Sequence, residues 1–111
     1  MTPVEFRRHL HRHPELSFRE TESARFIAEA LREAGIPCRP IAGTGVLAKI
    51  EGRGDLRRAV VLRADIDALP IREQSGAAWS SENDGVMHAC GHDIHAAVLY
   101  GTLLRLSAAR N

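Results

Sequence analysis

Within nine residues, Met87-His88-Ala89-Cys90-Gly91-His92-Asp93-Ile94-His95 gathers one thiol, three imidazoles and a carboxylate, a density of metal-binding and proton-transfer groups found nowhere else in the chain. Thiolate and imidazole suit a divalent ion of borderline softness, and a hydrolytic site needs further ligands plus an open position for water. The segment supplies only part of such a set. Gly91 lacks a side chain, so the backbone can turn between Cys90 and His92 and bring sulfur and imidazole nitrogen to one ion. His88 and His95 are open to three roles, as ligand, as support for a ligand or as substrate contact, with a plain buried histidine as the structural alternative. Asp93 reads first as the N-cap of a helix that follows it. A cysteine nucleophile paired with His88 or His92 is a further reading, and it requires a depressed thiol pKa.

Asp65 and Asp67 stand two apart, so in an extended chain they share a face. A carboxylate beside a metal can orient a ligand, make it more basic, or tune the base that activates water. The competing use is an ion pair with Arg63 or Arg72. His9, His11 and His13 alternate in helical surroundings, which leaves only His9 and His13 on one face, with no acid at the spacing of a helical zinc site. Cys38 follows Pro37 in a connecting segment and reads as a small packed apolar group.

The elements that must position these groups follow from pattern. Thr2-Pro3 reads as an N-cap followed by proline at the first helical position, and Pro14 ends a short helix carrying Phe6 and Leu10. A second helix starts around Glu20, with Ala24, Ile27, Ala28, Leu31 and Ala34 in one stripe and Gly35 and Pro37 at its end. Gly43-Thr44-Gly45 is a turn into a strand over residues 46–50, and Gly52-Arg53-Gly54-Asp55 closes it. Ala59-Val60-Val61-Leu62 is a continuous apolar run, expected as a strand covered on both faces and ending at Asp65. A last helix is expected behind Asp93, with Leu99, Leu103 and Leu106 inward. This order predicts a layered α/β domain with the Asp65 and Cys90 to His95 segments at the rim beyond the strand ends.

At 111 residues, 44% of them hydrophobic, the chain has the makings of one small folded domain. A net charge of +1 and the lack of a basic run give no ground for nucleic acid or an anionic membrane as partner. Two cysteines in different contexts are not a disulfide framework, and no apolar window approaches the ~18 residues of a membrane span. The cytoplasm is the expected location.

Three segments together resemble one family. They are His11-Arg12-His13-Pro14-Glu15-Leu16 with Glu20-Thr21-Glu22 behind it, Arg63-Ala64-Asp65-Ile66-Asp67-Ala68-Leu69-Pro70, and residues 85–95 from Gly85 to His95. The family is that of the metal-dependent amidohydrolases that include hippurate hydrolase, N-acyl-amino-acid amidohydrolases, N-acetyldiaminopimelate deacetylase and the auxin-conjugate hydrolases. The resemblance implies that Cys90 and His92 are ligands of a two-metal centre, zinc or manganese, and that Asp65 is the catalytic aspartate. Arg63 stands where the wider metallopeptidase group has a ligand histidine, as is usual in the amidohydrolase branch. The resemblance further implies a small N-acyl amino acid as substrate, and a second, smaller domain for closure or homodimer formation.

In that branch the general base belongs to a Glu-Glu pair beyond the last helix, and no two glutamates are adjacent here. Residues 1–111 are therefore expected to be the N-terminal part of a layered α/β catalytic domain of two-zinc exopeptidase-like fold. The isolated chain is expected to be inactive, and its strands to lack neighbours and expose edges. The rival expectation is a non-catalytic module that binds metal or a partner chain.

Overall fold

A computed structural model describes residues 1–109, and the last two positions of the 1–111 unit lie outside the described residues. The element order is α1 (Pro3–Arg12), α2 (Thr21–Glu33), β1 (Cys38–Ile41), β2 (Gly45–Ala48) and α3 (His92–Ala108). Mixed helix and sheet agree with the α/β expectation, although the only sheet among the described residues has two strands.

Local chemistry explains α1 directly. The Glu5 N–H donates to Thr2 Oγ1 at 3.1 Å and the Thr2 N–H donates to Glu5 Oε2 at 2.8 Å, so each residue caps the other. Pro3 occupies the first turn, where its missing N–H loses nothing, and His13 ends the helix just before Pro14. In α2 the start at Thr21 and the close near Gly35, at φ +73°, also follow the sequence expectation.

The β1 and β2 strands pair antiparallel, with Ile41 opposite Gly45 and Cys38 opposite Ala48. The turn places Ala42 at φ +54° and Gly43 at φ +83°. At Gly45 a Cβ would stand 2.8 Å from the Ile41 carbonyl oxygen, which excludes any larger residue unless the turn moves. Two expectations change here. Cys38 is not in a bare connection but opens β1, half-buried against the core, and the second strand ends at Ala48 rather than at position 50. The short β1, with Pro40 inside it and an exposed face, has no alternating pattern to announce it.

Phe6 and Leu10 of α1, Ala30 and Leu31 of α2, Ile36, and Ala96, Ala97 and Tyr100 of α3 form the buried core. The Phe6 ring stacks on Tyr100 with centroids 4.3 Å apart and planes 4° off parallel, and the Tyr100 hydroxyl donates to the Met1 carbonyl oxygen at 3.0 Å. Small residues let the helices close up: a Cβ on Gly101 would stand 3.2 Å from Pro3 Cγ. The buried face of α3 is thus Ala96, Ala97 and Tyr100, whereas Leu106, expected inward, is exposed.

The apolar run at 59–62 does not form a strand. Val60 and Val61 are 89% and 84% exposed, because no other described segment lies beside them and a strand is stable only when its backbone groups are paired. Asp65 accordingly does not end a buried strand.

Candidate metal centre

The segments that carry chemistry meet through backbone as well as side chains. The Ala68 N–H donates to the Glu15 carbonyl oxygen at 2.8 Å, and Leu69 and Met87 exchange two N–H to carbonyl bonds at 2.9 Å each. The stretch Asp67-Ala68-Leu69 therefore lies between Glu15 and Leu16 on one side and Met87 on the other, three residues ahead of Cys90. The Glu15 carboxylate is used locally, accepting from the Ser23 N–H at 2.6 Å and the Glu22 N–H at 3.2 Å, which ties the His-Pro-Glu segment to α2.

Gly91 occupies the N-cap of α3 at φ +98°, a left-handed conformation natural to glycine. This corrects the expectation for Asp93, which lies inside the first turn with a fully buried side chain. Its Oδ2 accepts from Arg7 Nε at 2.8 Å and lies 2.8 Å from His11 Nδ1, so the carboxylate is consumed by α1 rather than by its own helix end. His11 Nε2 is 2.9 Å from Glu73 Oε2, and carboxylates thus face both nitrogens of a buried imidazole. Burial raises the Glu73 carboxyl, but hydrogen bonds from Ser75, His11 and the Ser81 N–H outweigh it and hold the group at about 2. Arg7, His11 and Glu73 were not singled out from sequence as a cluster. The helical phase of α1 puts His11 opposite His9 and His13, but nothing local names its partners.

His92 sits half-buried at the head of α3 with its Nδ1 2.9 Å from Asp67 Oδ1 and 3.0 Å from the Asp67 carbonyl oxygen. Cys90 is an exposed free thiol. Asp65 is exposed and forms an ion pair with Arg63, whose Nη2 lies 2.9 Å from Asp65 Oδ1. A groove of about 540 Å³ runs past Arg63, Asp65 and His95 along α3. His95 is exposed with its ring centroid 6.0 Å from that of His92.

His88 is buried and both its ring nitrogens lack a hydrogen-bond partner, as does Asp93 Oδ1. The plain reading of His88 as a satisfied buried histidine therefore does not describe it. Burial pushes its pKa below the ordinary imidazole value, Asp93 and Asp67 oppose this, and His11 and His92 add to it.

His9 and His13 do share a face, with ring centroids 4.6 Å apart, but His9 stacks on Phe26 at 3.8 Å and its pKa is lowered by burial and by His13 and Arg12. Across the described residues no three His, Cys, Asp or Glu side chains converge as a metal site. The donor chemistry at Cys90 and His92 nonetheless fits a divalent ion: one open thiol, and one imidazole whose second nitrogen is left over when Nδ1 is held by Asp67. Two donors are short of a tetrahedral set, so further ligands have to come from outside this group.

Comparison with known proteins gives the frame for this geometry. Residues 61–111 match the model of peptidase family M20/M25/M40. The chain is 51% identical over 104 residues to an N-acetyl-L-cysteine deacetylase of Bacillus subtilis, covering 93% of this chain and 25% of that protein. It is 46% identical over 109 residues to an N-acyl-L-amino acid amidohydrolase of Geobacillus stearothermophilus, covering 97% of this chain and 29% of that one. The crystal structure of the Bacillus subtilis YXEP protein, described as a dinuclear metal binding peptidase of the M20 family, superposes with a TM-score of 0.92 at 46% identity, over 97% of this chain and 31% of that one. The chain thus spans between a quarter and a third of the length of these relatives. In sequence and in fold it is similar to proteins of the M20/M25/M40 peptidase family, and the part it shares with them fits their N-terminal portion.

Proposed function

We propose that the protein containing this chain is a metal-dependent amidohydrolase that cleaves the amide bond of N-acyl amino acids, with residues 1–111 as the N-terminal part of its catalytic domain. The observation that carries this reading is the pairing of an exposed Cys90 thiol with a His92 whose Nδ1 is already engaged, at the head of α3. Relatives named as N-acyl amino acid deacetylases and amidohydrolases support the substrate class. Cys90 and His92 would hold one side of a two-metal centre of zinc or manganese. Bound there, divalent ions supply Lewis acidity toward an acyl carbonyl and toward water.

The chain's own residues orient and exclude. Asp65 is assigned as the catalytic aspartate, and the groove beside it, with Arg63 and His95 on its walls, is the place where this part of the protein meets substrate. Arg63 pairs with Asp65 beside that groove, its Nη2 2.9 Å from Asp65 Oδ1. Gly91, in the left-handed region at φ +98°, turns the chain between Cys90 and the head of α3, where His92 begins the helix.

No helix of the described residues is long and apolar enough to cross a membrane. A cytoplasmic location and a homodimeric full-length form complete the reading, with no nucleic-acid or membrane partner.

The test is hydrolysis of several N-acyl amino acids by the full-length protein with added zinc or manganese, beside the 111-residue chain. Turnover by the full-length protein that disappears in Cys90→Ala and His92→Ala is expected, with negligible turnover by the chain alone. Metal-dependent hydrolysis by the chain above its Cys90→Ala control would overturn the inactivity, and unchanged metal content in both variants would remove the two residues as ligands. The exposed Val60-Val61-Leu62 run favours one second reading, a module that self-associates, and light scattering of the chain measures it directly.

A further inference from the structure

Two aspartates separated by one residue behave differently. Asp65 turns to solvent and to Arg63, while Asp67 turns inward and meets His92 twice, through its carboxylate at 2.9 Å and through its own carbonyl oxygen at 3.0 Å. We propose that Asp67 is the positioning residue of His92: its two oxygens accept the hydrogen bond from Nδ1–H, so that Nε2 is the nitrogen presented to a divalent cation. This rests on the reading of His92 as a ligand.

The tautomer follows from donor and acceptor identity. A peptide carbonyl oxygen only accepts, and so does an ionised carboxylate, so Nδ1 facing both must carry the hydrogen, and a neutral ring then has its lone pair on Nε2. The orientation is fixed because the acceptor is fixed. Ala68 is buried and its N–H is held by the Glu15 carbonyl oxygen, and Leu69 is locked to Met87 by two backbone bonds, so the Asp67 backbone is secured just beyond its C-terminal side. Asp67 and His92 side chains are 28% and 21% exposed, which leaves the pair short of full solvent competition. A carboxylate on the far nitrogen also makes the imidazole a stronger donor toward a cation.

Two measurements on the full-length protein test the assignment. Nitrogen NMR of the metal-free wild type should show His92 protonated at Nδ1, and a ring protonated only at Nε2 would overturn the proposal. Cobalt(II) affinity, read by chelator competition and by the thiolate-to-cobalt absorption band from Cys90, should fall about 10- to 100-fold in Asp67→Ala. Asp67→Asn, nearly isosteric and still able to accept from Nδ1 through its amide oxygen, should recover part of that loss. Wild-type affinity in Asp67→Ala alongside loss in His92→Ala would overturn this proposal alone, as would equal losses in Asp67→Ala and Asp67→Asn. Full retention of cobalt by His92→Ala would instead remove the ligand reading on which it rests.

Discussion

His11 and Asp93, 82 residues apart in the chain, meet in the interior with Nδ1 and Oδ2 at 2.8 Å, and the same oxygen accepts from Arg7 Nε at 2.8 Å. This contact pins the first turn of α3, and with it the Cys90-Gly91-His92 turn, onto α1. Asp93→Ala strips two cationic or potentially cationic groups of their partner in a nearly dry site. A loss of about 3–5 kcal/mol is expected by denaturant unfolding, the range for breaking a buried pair by removing one member. Asp93→Asn keeps an accepting oxygen and should lose less. Equal stability of Asp93→Ala and wild type would show that the contact contributes nothing net.

Glu73 sets an acid limit on the fold. Its folded pKa, about 2, lies below the ordinary 4.5. Between those values the unfolded chain binds more protons than the folded one, so stability rises with pH across the window, is complete above 4.5, and is lost as pH falls toward 2. Thermal melts from pH 6 downward are expected to steepen below about 4.5, and Glu73→Gln should flatten that slope while lowering stability at pH 6 by about 1.5–3 kcal/mol, the range for a hydrogen bond to a charged group. An unchanged slope in the variant would assign the acid limit to other carboxylates.

Phe6 is 1% exposed and packs on both Tyr100 and Phe26, so it joins all three helices. Phe6→Ala leaves a void between Tyr100 and Phe26 where the three helices meet, and about 3–5 kcal/mol of destabilisation is expected from urea unfolding. Leu106→Ala, at an exposed site on α3, should stay within about 0.5 kcal/mol.

Gly91 has open space around it, so its constraint is conformational rather than steric: no atom lies within 4 Å of a built Cβ, but φ is +98°. Gly91→Ala is expected to cost about 1–2 kcal/mol for placing an L-residue in that region. In the full-length protein the same variant should weaken cobalt binding, since the turn that joins Cys90 to His92 relaxes. Loss of stability with wild-type cobalt affinity would separate the turn from the metal centre.

Cys90 is exposed and Cys38 is half-buried with its thiol 3.7 Å from the Ala28 carbonyl oxygen. Thiol labelling of the folded protein should modify Cys90 first, and bound metal should protect it. Faster reaction at Cys38, read by peptide mass after partial labelling, would contradict the half-buried position of that thiol.

Much of the helical frame was readable because its signals are local. Thr2, Pro3 and Pro14 bound α1 within a few residues, and the α2 stripe needs only the helical repeat. The density of donor groups at 88–95 was equally visible. The β1 strand was not, because four residues with an exposed face and a proline carry no period. The apolar run at 59–62 had the composition of a buried strand, and composition cannot say whether a neighbour is present to pair with it. Asp93 was legible as an acid at a helix start, but its use was not.

By itself, then, the sequence determined the types and spacing of the donors, the ends of α1 and α2, and the family to which three short segments point. The tertiary structure alone decided which acid serves which base: Asp93 goes to His11 and Arg7, Glu73 to the other side of His11, and Asp67 rather than Asp65 to His92. Helix caps and periodic stripes are set by neighbours within a turn, and so are written in the chain. The partners of a buried carboxylate lie across the fold, where only the packing of α1 on α3 and the backbone pairing of Leu69 with Met87 bring them within hydrogen-bond reach.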